Sequence, residues 1–231
     1  MWLEIIDVSK HYETPPGSGR RTVLRSVSLS LERGETAAIV GPSGSGKTTL
    51  LNIVGGLDKP TSGTVIVDGK AMAGLDDETM SRMRNRDIGF VFQLHHLLPQ
   101  ATVLENVLIP AIPAAGRSRV GEAALRRAHR LLERVGLSGH KDHFPAQLSG
   151  GERQRTAVVR AFINGPKLVL ADEPTGSLDR EAAENLARLL VDLNRDEATA
   201  LIVVTHSLEL ARLMGKAFVL RDGILARTEI G

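Results

Sequence analysis

The stretch GPSGSGKTT, residues 41–49, follows the apolar run TAAIV (36–40) and opens into KTTLLNIVGGL (47–57). It fits the pattern G-x-x-x-x-G-K-[ST] in the setting that gives the pattern meaning, a strand before it and a helix after it. Glycines let the backbone fold tightly, so that successive N–H groups point inward at phosphate oxygens. A helix starting near Lys47 adds the positive end of its dipole. Lys47 can reach the β- and γ-phosphates, and the Thr48 hydroxyl can ligate Mg²⁺. The competing reading, a glycine-rich turn with a surface lysine, does not account for the strand and helix that flank it. Gly41, Pro42, Ser43, Gly44, Ser45, Gly46, Lys47, Thr48 and Thr49 are therefore expected to bind a nucleotide.

A second apolar run, KLVLADE (167–173), ends in two carboxylates. Successive side chains of a strand point opposite ways, so the pair divides into two roles. Asp172 is expected to hold Mg²⁺ or its water, and Glu173 to polarise the attacking water as a general base.

Farther out, LEIIDVSKHY, TVLRSVSLSLE and ETAAIV make the first 40 residues a β-region, with the Pro/Gly/Ser loop TPPGSGRR (14–21) joining two antiparallel strands. GTVIVDGK (63–70) reads as a strand ending in an Asp-Gly turn, and DIGFVFQ (87–93) as a buried strand. Residues 94–147 change character. Pro99, Pro110, Pro113 and Pro145 break them into short helices, with one amphipathic helix over 120–137. From 150 onward a helix, the strand KLVLADE, a helix near 180–195 and the strand ALIVVTH alternate, which argues for a parallel sheet.

Composition narrows the class. The 231 residues are 42% hydrophobic and 24% charged, as in an ordinary soluble globular chain. There is no cysteine, which excludes disulfides and zinc–thiolate sites. The net charge of +2 is spread without a basic block, so no nucleic-acid partner is expected. MWLEIIDVSK reads as a strand and not as a secretory signal. No run approaches the roughly 18 apolar residues of a membrane span. A cytoplasmic chain is expected, with any membrane role exercised through a partner.

LSGGERQR (148–155) poses a different question. Two adjacent glycines open a helix, where each costs roughly 1 kcal/mol relative to alanine, and a turn cap needs one at most. Taken with the phosphate loop, Gln93 after its strand, LVLADEPTGSLD (168–179) and VVTH (203–206), this segment resembles the ATPase domain of ABC transporters over nearly the whole chain. The resemblance implies an α/β P-loop NTPase with a RecA-like parallel core, an N-terminal antiparallel β-subdomain and an inserted α-helical subdomain. The single domain 1–231 would divide into 1–93 plus 165–231, and a helical portion 94–164 carrying the signature.

The same resemblance implies an ATPase that works as a head-to-tail homodimer with ATP and Mg²⁺. Ser149, Gly150, Gly151 and Glu152 would face the γ-phosphate held by a second copy's Lys47. Tyr12 would stack on adenine, and Val23 would pack on the same base. Gln93 would join Thr48 and Asp172 at Mg²⁺ or reach the attacking water, and His206 would contact γ-phosphate. Ser177, Leu178 and Asp179 would cross the dimer interface; Ser177 departs from the Asn common among relatives.

GFVFQLHHLLPQATVLENVLIP (89–110) and LADEPTGSLD (170–179) resemble the branch of ABC ATPases that serves lipoprotein release, macrolide or peptide export and cell division. HHLLP (95–99) with VVTHSLELARLM (203–214) is most similar to its lipoprotein-release members, which implies release or export of lipoproteins or other amphipathic cargo. That implies membrane permease subunits docked near Gln93–Pro110, with Leu94, Leu97, Leu98 and Val103 in contact. The ATPase would sit on the cytoplasmic face of the inner membrane. His95 and His96 are either solvent-facing polarity or specific contacts. The alternative function is a regulatory ATPase that controls a periplasmic cell-wall process through its membrane partner and moves no cargo.

Overall fold

The computed structural model describes residues 1–13, 19–112 and 120–230. The 14–18 part of the expected first loop, and Pro113, lie outside them. In chain order come β1 (Leu3–Glu13), β2 (Arg20–Leu31), β3 (Thr36–Val40), α1 (Lys47–Val54), β4 (Ser62–Val67) and β5 (Lys70–Ala71). Next are α2 (Asp77–Asp87), β6 (Ile88–Phe92), α3 (Val103–Leu108), α4 (Glu122–Arg134) and α5 (Gly150–Phe162). The chain closes with β7 (Leu168–Asp172), α6 (Arg180–Glu197), β8 (Ala200–Thr205), α7 (Leu208–Arg212), β9 (Lys216–Arg221) and β10 (Ile224–Thr228).

The strands form two sheets. One is antiparallel, in the order β2-β1-β4-β5; the other runs β10-β9-β3-β8-β7-β6 and is parallel except for its β10 edge. The β-region read over the first 40 residues is therefore split. TAAIV leaves the antiparallel sheet and lies between β8 and β9 in the parallel one, because its residues are apolar on both faces.

That two-sided burial builds two cores. Ala37 and Ile39 of β3, Leu168 and Leu170 of β7, and Ile202 and Val204 of β8 face α1 and the antiparallel sheet. The alternate residues, Ala38, Val169, Ala171, Leu201 and Val203, face α3, α4, α5 and α6 around Phe162 and Leu190. Period-2 alternation thus fastens helices to both faces and leaves the C-terminal ends of β3, β6, β7 and β8 along one edge, where the phosphate loop begins.

The sequence reading passed over α2, α7, β9 and β10. In α2, DETMSRMRNRD, only Asp87 is fully buried, and the apolar contact with the core is limited to half-buried Met80 and Met83, a stripe too short for periodicity to stand out. The turn between β9 and β10 did carry a signal, since Asp222 and Gly223 both take positive φ, the preference of an Asp-Gly hairpin. Val103 is 0% exposed in the core between α3 and its neighbours, so it cannot supply partner contact as expected from sequence.

Candidate nucleotide-binding site

The loop after β3 is shaped by two glycines. A Cβ on Gly41 would stand 2.2 Å from the Leu220 carbonyl oxygen of β9, so the loop lies flush on that strand. Gly46 precedes α1 at φ +103, and a Cβ there would meet the Val23 carbonyl oxygen at 2.9 Å. Only glycine fits either place. Lys47 is 8% exposed, and its ammonium donates to the carbonyls of Gly41 at 2.8 Å and Pro42 at 3.1 Å. Among the described residues it forms no ion pair with a carboxylate.

The cleft beside this loop has a volume of about 760 Å³. Tyr12 and Val23 line it from the antiparallel sheet, and Ser43, Gly44, Gly46, Lys47, Thr48 and Thr49 from the loop and α1. Gln93, Asp172, Glu173 and His206 line it from the ends of β6, β7 and β8. Gly41, Pro42 and Ser45 shape the loop without lining the cleft, Ser45 being buried. Arg21 also lines the cleft and was missed in the sequence. It pairs directly with Tyr12 across β1 and β2 and stands two residues from Val23, so strand alternation already put it on the Val23 face.

Tyr12 is held in place. Its phenol donates to Asp58 Oδ2 at 2.8 Å, and the Lys10 ammonium lies 4.8 Å from its ring centre while pairing with Asp58 at 2.6 Å. Burial, then the bond to Asp58, pushes the phenol's pKa up.

The two carboxylates at the end of β7 separate for a reason different from the expected pleat. Asp172 is the last strand residue, and Glu173 has already left the strand at φ +45, a left-handed conformation uncommon for a residue with a side chain. Burial is the main influence on Asp172 and raises its pKa; the Glu173 charge adds to this, while the Thr48 hydroxyl and Lys47 oppose it. Glu173 is braced from β8: its N–H donates to the Val204 carbonyl at 2.9 Å. Its Oε2 lies 2.9 Å from His206 Nδ1 and accepts the His206 backbone N–H at 3.2 Å. The His206 side chain is 71% exposed. Gln93 lies against Gly176, and its carbonyl accepts from the Ser177 hydroxyl at 3.4 Å.

The segment 149–152 does not line this cleft. Ser149 caps α5 in a reciprocal box: its hydroxyl accepts from the Glu152 N–H at 3.3 Å, and its own N–H donates to Glu152 Oε2 at 2.7 Å. Those bonds hold the Glu152 carboxyl below its ordinary pKa. Gly150 and Gly151 are the next two helical residues, and neither has positive φ. A Cβ on Gly150 would find its nearest neighbour at 3.8 Å, and one on Gly151 at 3.6 Å, both ordinary contacts. Leu178 packs against the larger helical core, and Asp179 caps α6 by accepting from the Ala182 N–H at 2.9 Å.

The profile of the ABC transporter family matches residues 24–176. The chain is 50% identical over 223 residues to the lipoprotein-releasing system ATP-binding protein LolD of Shewanella frigidimarina, covering 96% of this chain and 91% of that protein. It is 48% identical over 227 residues to the LolD of Idiomarina loihiensis, covering 98% and 97%. Among solved structures, the ATP-binding cassette MJ0796, dimeric in a post-hydrolysis state with ADP and Pi, superposes with a TM-score of 0.88 at 39% identity over 99% of both chains. The cbiO1 cassette of Clostridium perfringens gives 0.84 at 28% identity, over 97% of this chain and 86% of that one.

Proposed function

The chain belongs to the ABC transporter family as an ATP-hydrolysing subunit, and from that premise we propose that it drives a lipoprotein-releasing membrane complex by ATP-dependent closure of a homodimer. The observation that carries the cargo class is identity of about half, over nearly the whole chain, to proteins named for lipoprotein release.

In this reading Tyr12, Val23 and Arg21 receive the base end of ATP, and the 41–49 loop receives its phosphates on backbone N–H groups. Lys47 exchanges the Gly41 and Pro42 carbonyls for β- and γ-phosphate oxygens. Glu173 takes the proton of the attacking water as that oxygen bonds to the γ-phosphorus and the bond to the bridging oxygen breaks. His206 holds the Glu173 carboxylate through Nδ1 and, when protonated, can donate through Nε2 to the γ-phosphate. Asp172, a buried carboxylate beside the Thr48 hydroxyl, suits a hard divalent cation that neutralises it. Thr48, Asp172 and Gln93 would hold Mg²⁺, which when bound offsets the charge on the β- and γ-phosphates.

The glycines of the signature support the dimer. No turn or clash within the protomer requires either of them, yet both lower the intrinsic stability of α5. A second copy's γ-phosphate brought against the N-terminus of α5 supplies the missing reason, since bare backbone allows close approach and the helix end offers N–H donors. Ser177 and its neighbours would lie along the same interface. Leu94, 71% exposed, and Leu98, 44% exposed, offer apolar surface beside Gln93 for membrane subunits on the cytoplasmic face. Among the described residues no helix is long and apolar enough to cross a membrane, so that attachment would run through the partner.

The test is affinity purification of the tagged chain from its native membranes in mild detergent, followed by mass spectrometry and a lipoprotein-extraction assay. Membrane subunits with large periplasmic domains, and ATP-dependent extraction that Glu173→Gln abolishes, are expected. Recovery of a partner bound to cell-wall hydrolases, with no extraction, would remove the cargo and leave the ATPase.

A further inference from the structure

Gln93 stands one residue beyond β6, and the backbone on both sides of it is held by α5. Gln154 of that helix, 0% exposed, donates through Nε2 to the Phe92 carbonyl at 3.1 Å. Its Oε1 is hydrogen-bonded to His95 Nδ1. Since the amide nitrogen serves Phe92, the oxygen must accept, which puts the His95 proton on Nδ1. Two turns along, the Arg160 guanidinium donates to the carbonyls of His95 and His96, each at 2.6 Å. Among the described residues Arg160 forms no salt bridge, and burial lowers its pKa. The two histidines take φ +57 and +50 in succession. Side-chain-bearing residues adopt this conformation rarely, and it persists only where the surroundings over-determine it. The His96 ring, edge-on to Phe92 with centroids 5.1 Å apart, adds a further hold.

We infer that Gln154, Arg160 and His95 are positioning residues that fix Gln93 in the nucleotide cleft. The inference rests on the reading that Gln93 serves Mg²⁺ or the attacking water. Four hydrogen bonds from one helix to the carbonyls and ring flanking a single exposed glutamine exceed what closing a loop demands. They clamp a locally strained segment at a fixed place relative to α5.

The experiment is steady-state ATP hydrolysis with titrated Mg²⁺, alongside binding of a fluorescent ATP analogue. It compares wild type, Gln154→Leu, His95→Gly and Gln93→Ala, and each brace variant combined with Gln93→Ala. Gln154→Leu is expected to lower kcat about tenfold, as loss of an outer hydrogen-bond partner does, and to raise the Mg²⁺ needed for half-maximal rate. Analogue affinity should stay within about twofold, and in the Gln93→Ala background the same change should add less than about twofold. His95→Gly relieves the left-handed backbone, so it should keep its melting temperature while losing rate in the same way; it carries the test if Gln154→Leu fails to fold. Equal fold-losses with and without Gln93, while Gln93→Ala itself is impaired, would overturn the brace and leave the reading of Gln93 standing. A fully active Gln93→Ala would overturn both.

Discussion

Two glycine-bearing helix starts in this molecule look alike in sequence and differ in what surrounds them. At the start of α1, Gly41 and Gly46 are demanded by the protomer, one pressed onto a β9 carbonyl and the other held at φ +103. At the start of α5, Gly150 and Gly151 have ordinary helical backbone and room for a Cβ. The first pair explains itself inside one chain. The second does not, and the difference argues for a half-site that only another molecule completes.

The comparison breaks most severely at Glu173, which belongs to the phosphate-loop half. Glu173→Gln should lower the hydrolysis rate by about 10²–10⁴ while ATP still binds, and should trap the closed dimer on size-exclusion chromatography. Turnover at the wild-type rate would remove the general base. Next comes Gly46→Ala, which forces a side chain into left-handed backbone and against Val23. It should cost about 1–3 kcal/mol in denaturant unfolding, whereas Gly151→Ala should gain up to about 1 kcal/mol. Equal losses at the two positions would erase the distinction.

A smaller effect sharpens the electrostatics of the first half. Burial raises the Asp172 pKa, so the folded state binds that proton more tightly than the unfolded chain does. The resulting penalty is absent below the unfolded value, grows as pH rises, and is complete above the folded value. Asp172→Asn should therefore raise nucleotide-free stability at neutral pH, with the gain fading as pH falls through the carboxylate range, while Mg²⁺ ceases to strengthen ATP binding. A gain independent of pH would assign the effect to something other than ionisation.

How much of this was legible follows the same division. TAAIV-GPSGSGKTT carries strand, loop and helix in contiguous residues, so its local structure was readable without tertiary information. LVLADE and ALIVVT declared themselves through runs apolar on both faces. α2 hid because only Met80 and Met83 turn apolar side chains inward, too short a stripe to stand out among its charges. Glu173 was found, but its left-handed backbone depends on Val204 and His206, which are distant in sequence. Arg21 could have been found by counting back two residues from Val23. The hold of Gln154 and Arg160 on His95 and His96 spans 59 to 65 positions and has no local signature.

The central claim, that the α5 glycines serve a second copy, is tested most directly by Gly151→Asp in the Glu173→Gln background, read by analytical ultracentrifugation with and without ATP. Aspartate in the first turn of a helix favours the protomer through the dipole, by about 0.3–1 kcal/mol at an exposed site. The account predicts a protomer at least as stable as its parent that binds ATP normally and stays monomeric, because a carboxylate would meet γ-phosphate. A dimer that forms with ATP as readily as in the parent would contradict it.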